Sequence, residues 1–379
     1  MKVLRWAIVL CAGAIVISCV NAQRETENAL RGQVAVGKPI PESVLLPVME
    51  RNHVPAVSIA VIRGGAIDWA KGYGVREAGG ADRVSAETLF QAASISKPVT
   101  AAAALRMVEA GKLSLDENVN GKLRAWKVPE NELTAKHPVT LRELLSHSAG
   151  MTVHGFPGYT MGEDLPTLIQ ILNGEKPANT QPIRVNIEPG KGFRYSGGGY
   201  LVAQQLMVDV STQPFPELMQ RLVLQPVGMN SSAYDQPLAE TWRLRAAAGH
   251  GSNGEPVKGR WHIYPELAAA GLWTTPTDLA QFAIEVRRSY HGEPAALLSQ
   301  DMAREMLTRQ VGDYGLGFSV PAAGVPRFQH GGSNRGFLCY LVLSVESGDG
   351  AVIMTNGDSG GALINVIFPA IAAAYGWHV

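Results

Sequence analysis

Residues with strong strand character are concentrated at the two ends of this chain, with a long and differently patterned stretch between them. Residues 55–62 and 66–75 are rich in Val, Ile, Ala and aromatic side chains and flank Arg63-Gly64-Gly65, which reads as the turn of a hairpin. The same character returns near the other end, in 317–320, 328–330, 337–344 and 351–355. Between them lie helical signals: an Ala- and Leu-rich run from Ser94 toward Gly111, a Thr-x-x-Glu capping box at Thr140, and apolar runs at 201–210, 216–223 and 276–288. A last helix is expected over about 362–375. The pattern predicts an α/β (α+β) fold in which one antiparallel sheet, flanked by helices, is built from N- and C-terminal segments. The expected division is 35–118 with 267–379 for the sheet domain and 119–266 for an inserted, mostly helical subdomain.

The chain of 379 residues balances 33 basic against 33 acidic side chains and is 46% hydrophobic, so its core is ample and it offers no field for nucleic acid. Residues 1–22 stand apart. Lys2 and Arg5 precede an apolar run over 6–17, too short to span a membrane, and Val20-Asn21-Ala22 has the form of a cleavage site. We read 1–22 as a signal peptide cut after Ala22, which places the mature chain in the periplasm or outside the cell. Val16-Ile17-Ser18-Cys19 also fits a lipobox, so a lipid on Cys19 is the alternative and the one expected route to a membrane. Cys11, Cys19 and Cys339 are the chain's three cysteines, and the mature chain keeps Cys339 alone, without a disulfide framework.

Three stretches carry candidate chemistry. In Ser94-Ile95-Ser96-Lys97 the serine and lysine are three residues apart at the start of a helix and share one face. A serine hydroxyl is a poor nucleophile at neutral pH, and a partly desolvated lysine one turn away can activate it. In Phe193-Arg194-Tyr195-Ser196-Gly197-Gly198-Gly199 the three glycines are expected to turn the backbone sharply and leave Tyr195 projecting from a loop. A phenol there can serve as an acid–base group. Phe328-Gln329-His330-Gly331-Gly332-Ser333 reads as a strand ending in glycines, with His330 at the mouth of a site. Gly331 and Gly332 would let a substrate approach, and the next backbone N–H would face a developing oxyanion.

Taken in order, Ser94-x-x-Lys97, Tyr195-Ser196 and His330-Gly331-Gly332 resemble the class C β-lactamase and DD-peptidase superfamily of serine hydrolases, which includes the family VIII esterases. Leu144-Leu145-Ser146-His147-Ser148-Ala149-Gly150, Gln225-Pro226-Val227-Gly228-Met229 and the stretch Ala269 to Leu279 resemble it too, so the likeness covers roughly residues 40 to 375. The resemblance implies a β-lactamase/transpeptidase-like fold with no cofactor and no metal. It also implies that Ser94 attacks the acyl carbon of a small-molecule or peptide substrate, that Lys97 and Tyr195 move its proton, and that the N–H groups of Ser94 and Ser333 form the oxyanion hole. Gly197 stands where the family has a substrate-binding Asn, and His330 where β-lactamases have Lys. Both departures point to an esterase or D-amino-acid peptidase with at most weak β-lactamase activity.

Other readings are weaker. Gly357-Asp358-Ser359-Gly360-Gly361 matches the nucleophile signature of chymotrypsin-like proteases, but a helix follows directly, so Asp358 and Ser359 are read as turn and N-cap residues. No His-Glu-x-x-His or Cys-x-x-Cys occurs, and the nine histidines are scattered. His147 is read as a structural loop histidine, and His154, His250 and His262 receive no role. A non-catalytic penicillin- or peptidoglycan-binding relic of the same fold is the rival from another class.

Overall fold

The structure, a computed structural model, describes Leu30 and residues 32–377; the segment read as a signal peptide, with Cys11 and Cys19, lies outside the described residues. Strands β1 (Ala56–Arg63) and β2 (Ala66–Gly74) form the expected hairpin. Gly64 and Gly65 have φ of 59° and 80°. A two-residue turn needs that left-handed backbone at both positions to match the twist of its strands. Strands β3 (Arg327–Asn334), β4 (Phe337–Ser344) and β5 (Gly350–Thr355) come from the tail. The sheet order is β2-β1-β5-β4-β3, with every pair antiparallel. The two ends of the chain therefore meet along β1 and β5, where Val57 lies opposite Thr355.

β1 is buried from Ala56 to Ile62. Ala56, Ala60 and Ile62 enter one core cluster and Val57, Ile59 and Val61 another, the two-residue period expected when both faces of a sheet are covered. Helices α1 (Glu42–Arg51) and α6 (Gly360–Tyr375) cover one face. On the other face α5 (Pro276–Tyr290) packs against β1, β2, β4 and β5, and α2 (Ser96–Glu109) and α4 (Gly197–Ser211) extend the same core, with the short α3 (Leu141–Leu145) beside α4. α2 is buried over all of 96–105. Its alanines do more than favour a helix: small side chains allow neighbours to close in on every side.

Four expectations change. Residues 317–320 form no strand; Ser319 makes isolated bridges, to Tyr314 and to Gln329, the latter through N–H···O bonds of 3.0 and 2.9 Å in the two directions. Gly317, at φ 99°, breaks the run, because an added Cβ would lie 2.7 Å from that of Ala101 in α2. β3 does not stop at the glycines but runs on to Asn334. α4 begins at Gly197, not at 201. Residues 216–223 span the helix Phe215–Met219 and a π-turn over Gln220–Leu224. The capping box at Thr140 is present, with Glu143 bonded back to the Thr140 N–H at 2.9 Å. Ser359 stands at the N-cap position of α6 without capping it; its hydroxyl bonds to Ser252 O at 3.3 Å.

Candidate active site

The site starts from a tight turn, Ala93–Ile95, that feeds α2. Phe90–Gln91 pairs with Trp273–Thr274, and the Ala92 N–H bonds to Leu272 O at 2.9 Å, so the chain enters the turn held on both sides. Ala93 has φ 49°, a conformation that costs a residue with a Cβ and persists only where its surroundings enforce it. Ser96 supplies that enforcement: its Oγ donates to Ala93 O at 2.6 Å and accepts from the Leu272 N–H at 3.1 Å. Ser94 is thus presented before the first full helical turn, where backbone N–H groups lack partners inside the helix.

Lys97 is 2% exposed, and its Nζ donates to Ser94 Oγ at 3.0 Å and to Ala269 O at 2.8 Å. That carbonyl belongs to a short helix, Leu267–Ala270, which Gln204 of α4 and Thr100 of α2 hold by bonds of 2.9 and 3.2 Å at Ala268. Lys97 Nζ also lies 5.0 Å from the centre of the Tyr195 ring. The structure therefore brings together the serine, lysine and tyrosine picked out from separate stretches.

Tyr195 precedes Ser196, the N-cap of α4, whose Oγ accepts from the Gly199 N–H at 3.1 Å and donates to Thr152 O at 2.7 Å. The three glycines form the first turn of this helix, not a loop. Gly198 is required because a Cβ would lie 2.7 Å from Thr152 O. Gly197 is not on the cleft wall. The Phe156 ring lies against it, 2.7 Å from where its Cβ would be, and Phe156 lines the cleft in its stead.

His147 takes a part that the sequence did not reveal. The N–H groups on either side of Tyr195 both end on it, Arg194 on its carbonyl at 2.8 Å and Ser196 on its Nδ1 at 3.1 Å. Its ring lies 4.2 Å from the Tyr195 ring, centre to centre. Burial, with the charge of Lys97 second, holds its pKa well below the usual value, so the ring is neutral. The signal available was its place after α3 in Ser146-His147-Ser148-Ala149-Gly150, where φ of 60° turns the chain back toward Tyr195. His154 lines the cleft, 4.8 Å from the Tyr195 ring. His250 is a satisfied core histidine, with Nε2 accepting from the Ala78 N–H at 3.0 Å and Nδ1 on Asn356 O at 2.8 Å.

His330 is buried, not at the mouth of the site. Its Nδ1 lies 2.6 Å from Gly331 O, which can only accept, so the proton sits on Nδ1 and Nε2 accepts from the Tyr314 hydroxyl at 2.9 Å. Burial, then the charge of Lys97, push its pKa down to about 3. It is a neutral hydrogen-bonding group and no substitute for a lysine's charge.

β3 forms the wall opposite Ser94. Gln329 spends its N–H and C=O on Ser319, and ladder bonds alternate, so Gly331 and Ser333 turn theirs the same way, away from β4. Gly332 faces the other side and lets the strand press on the Ser94 turn, since a Cβ would run into Ala92 O and Cys339 Sγ. Ser94, Tyr195, Tyr314, His330 and Ser333 all line the resulting cleft of about 660 Å³. Among the described residues no group of three or more His, Cys, Asp or Glu is placed to hold a metal ion.

A helix that begins beneath the free edge of an antiparallel sheet, with a serine and a lysine one turn apart facing that edge, is the β-lactamase/transpeptidase-like fold, a fold of serine hydrolases. This chain belongs to the β-lactamase family, whose profile matches residues 42–375. It is 25% identical to penicillin-binding protein 4 of Amycolatopsis lactamdurans over 81% of this chain and 82% of that protein. It also matches protein flp of Staphylococcus aureus (strain N315), at 23% identity over 60% of this chain, but spans only 43% of that protein's length. Among solved structures it is similar to the octameric penicillin-binding protein homologue of Pyrococcus abyssi, with a TM-score of 0.74 and 25% identity over 89% of this chain and 77% of that one. It also shares its fold with EstCE1, described as a hydrolase with promiscuous acyltransferase activity, at a TM-score of 0.70 and 22% identity over 93% and 99% of the two chains.

Proposed function

We propose that the protein is an exported serine hydrolase that cleaves an ester or amide through an acyl-enzyme on Ser94. The observation that carries this reading is the 3.0 Å contact between Lys97 Nζ and Ser94 Oγ, buried beneath an open cleft. In the first step Ser94 Oγ bonds to the acyl carbon and its proton passes to the Lys97–Tyr195 pair. The carbonyl electrons move to oxygen, which the Ser94 and Ser333 N–H groups stabilise. Collapse breaks the bond to the leaving group, which takes up the proton. Water then repeats the sequence at the acyl carbon and frees Ser94. His330 and Tyr314 hold the β3 side of the cleft in shape, and His147 holds Tyr195. The relatives support acyl chemistry by their descriptions, and the leader supports action outside the cytoplasm.

The test is intact-protein mass spectrometry of wild type and Ser94→Ala after mixing with an aryl ester and, separately, with a penicillin. A mass increase equal to the acyl group on wild type alone is expected with the ester. Identical behaviour of the two proteins sinks the Ser94 assignment. Penicillin bound equally by both, with nothing turned over by either, supports the non-catalytic relic. The same spectra read the N-terminus: a chain beginning at Gln23 supports simple cleavage, and a lipid mass on Cys19 supports the anchor.

A further inference from the structure

We infer that the acyl donor carries no formal charge close to the scissile bond, on either the acyl or the leaving side. The inference deepens the hydrolase reading and rests on Ser94 being the nucleophile. Among the described residues, none that lines the cleft is Lys, Arg, Asp or Glu. His154 lines the cleft as an imidazole, and the other nearby groups that could supply a charge are engaged elsewhere. Lys97 is buried and directs its Nζ at Ser94 Oγ and Ala269 O. His330, on the strand that carries the Ser333 N–H, has both ring nitrogens committed, to Gly331 O and to Tyr314. Arg327 stands behind Gln329, with Nη1 on the carbonyls of Ala323 and Val325 at 3.1 and 3.5 Å and Nε on Gln329 Oε1 at 3.4 Å, so its guanidinium is held at the back of the wall and not in the cleft. Arg194 bonds to Asn186 and Arg335 to Asp358.

Apart from the imidazoles of His154 and His330, the lining side chains are uncharged, and four of them are Phe or Tyr. On the Ser94 side stand Tyr195, Tyr314 and Phe156, the last occupying the space in front of Gly197. The cleft then passes over β3 at Gly331, where an added Cβ would meet nothing nearer than Cys339 O at 3.8 Å. Beyond it are Leu338, Tyr340, Ile364 and Asn365, on the sheet face covered by α6. Tyr340 gives its hydroxyl proton to Gln329 Oε1 at 2.9 Å, leaving the amide of that glutamine as a neutral donor. A carboxylate or ammonium drawn in here loses water and gains no opposite charge, which is costly, whereas an uncharged chain gains apolar contact. Both a terminal D-amino-acid carboxylate and a free amino terminus next to the scissile bond are therefore selected against.

The experiment compares, for wild-type protein at pH 8, where imidazoles are ordinarily uncharged, phenyl butyrate with 3-carboxyphenyl butyrate and p-nitrophenyl butyrate with p-nitrophenyl hemiglutarate. A third comparison, against 3-(aminomethyl)phenyl butyrate, tests the cation. Each rate is divided by that of hydroxide-catalysed hydrolysis of the same ester. We expect kcat/KM at least tenfold higher for the neutral member of every pair. A charged member cleaved as well as its neutral partner overturns the inference while leaving the hydrolase reading intact. Wild type no faster than Ser94→Ala on all five esters overturns the Ser94 reading and the inference together.

Discussion

Gly331 and Gly332 are neighbours with opposite tolerances. A side chain at Gly331 would point into the open cleft, whereas one at Gly332 would collide with Ala92 O and Cys339 Sγ behind the Ser94 turn. Gly331→Ala is therefore expected to unfold in urea as wild type does, and Gly332→Ala to lose roughly 1–3 kcal/mol, the usual cost of overpacking. Equal midpoints for the two variants contradict this placement of β3. The sequence could show two glycines and not which face each takes, because that depends on where the chain around residue 92 arrives. The same holds for His330, read as lying at the mouth of a site and found buried against Tyr314. Ser94 and Lys97 were legible because their proximity is a property of one helix turn. His147 was not, because its hold on Tyr195 joins segments some fifty residues apart and leaves no local pattern.

At the scale of an element, α4 shows a local preference overruled by its neighbour. Alanine is better than glycine in a helix by about 1 kcal/mol. Gly198→Ala is nevertheless expected to destabilise the protein, by roughly 1–3 kcal/mol, because the new Cβ would sit 2.7 Å from the backbone oxygen of Thr152. Activity should fall further than stability alone explains, since Ser196 and the Tyr195 loop hang from that turn. A Gly198→Ala protein with a higher urea midpoint than wild type defeats the account. This contact also explains why the glycines, read as a loop, begin a helix: they are there for the close approach of residues 152–156, not for a turn. The hairpin, α2, α5, β4 and α6 were readable because periodicity and turn chemistry agree in them. α1, with Pro47 within it, and the helix Gln300–Leu307 were not anticipated.

For the whole molecule, buried titratable groups set how stability follows pH. Glu266 is fully buried with both carboxylate oxygens unpartnered among the described residues, and burial pushes its pKa up to about 8 from 4.5. Between those values the folded state holds a proton that the unfolded chain releases, so this group makes stability fall as pH rises. His147 and His330 act the other way. Buried neutral, they exclude protons that the unfolded chain binds below pH 6.5, so they make stability fall as pH drops below 6.5, for His330 down to about 3. Two imidazoles outweigh one carboxyl between 4.5 and 6.5, so these groups together favour an optimum near pH 6.5. Between pH 6.5 and 8, Glu266→Gln should lose roughly 1.5 kcal/mol less than wild type in urea titrations. The same loss in both proteins removes Glu266 from the explanation.

The pairing of Val57 with Thr355 has a consequence in time. Contacts between residues so distant in the chain close late, because a long loop must be ordered before they contribute anything. β3, which carries the Ser333 N–H, belongs to the half of the sheet made last, while Ser94 and Lys97 belong to the half made first. A growing or unfolded chain thus holds the serine and its lysine without the strand that would stabilise the oxyanion. On the proposed function, hydrolytic competence arrives only when the tail docks, so a chain still on the ribosome carries Ser94 unarmed.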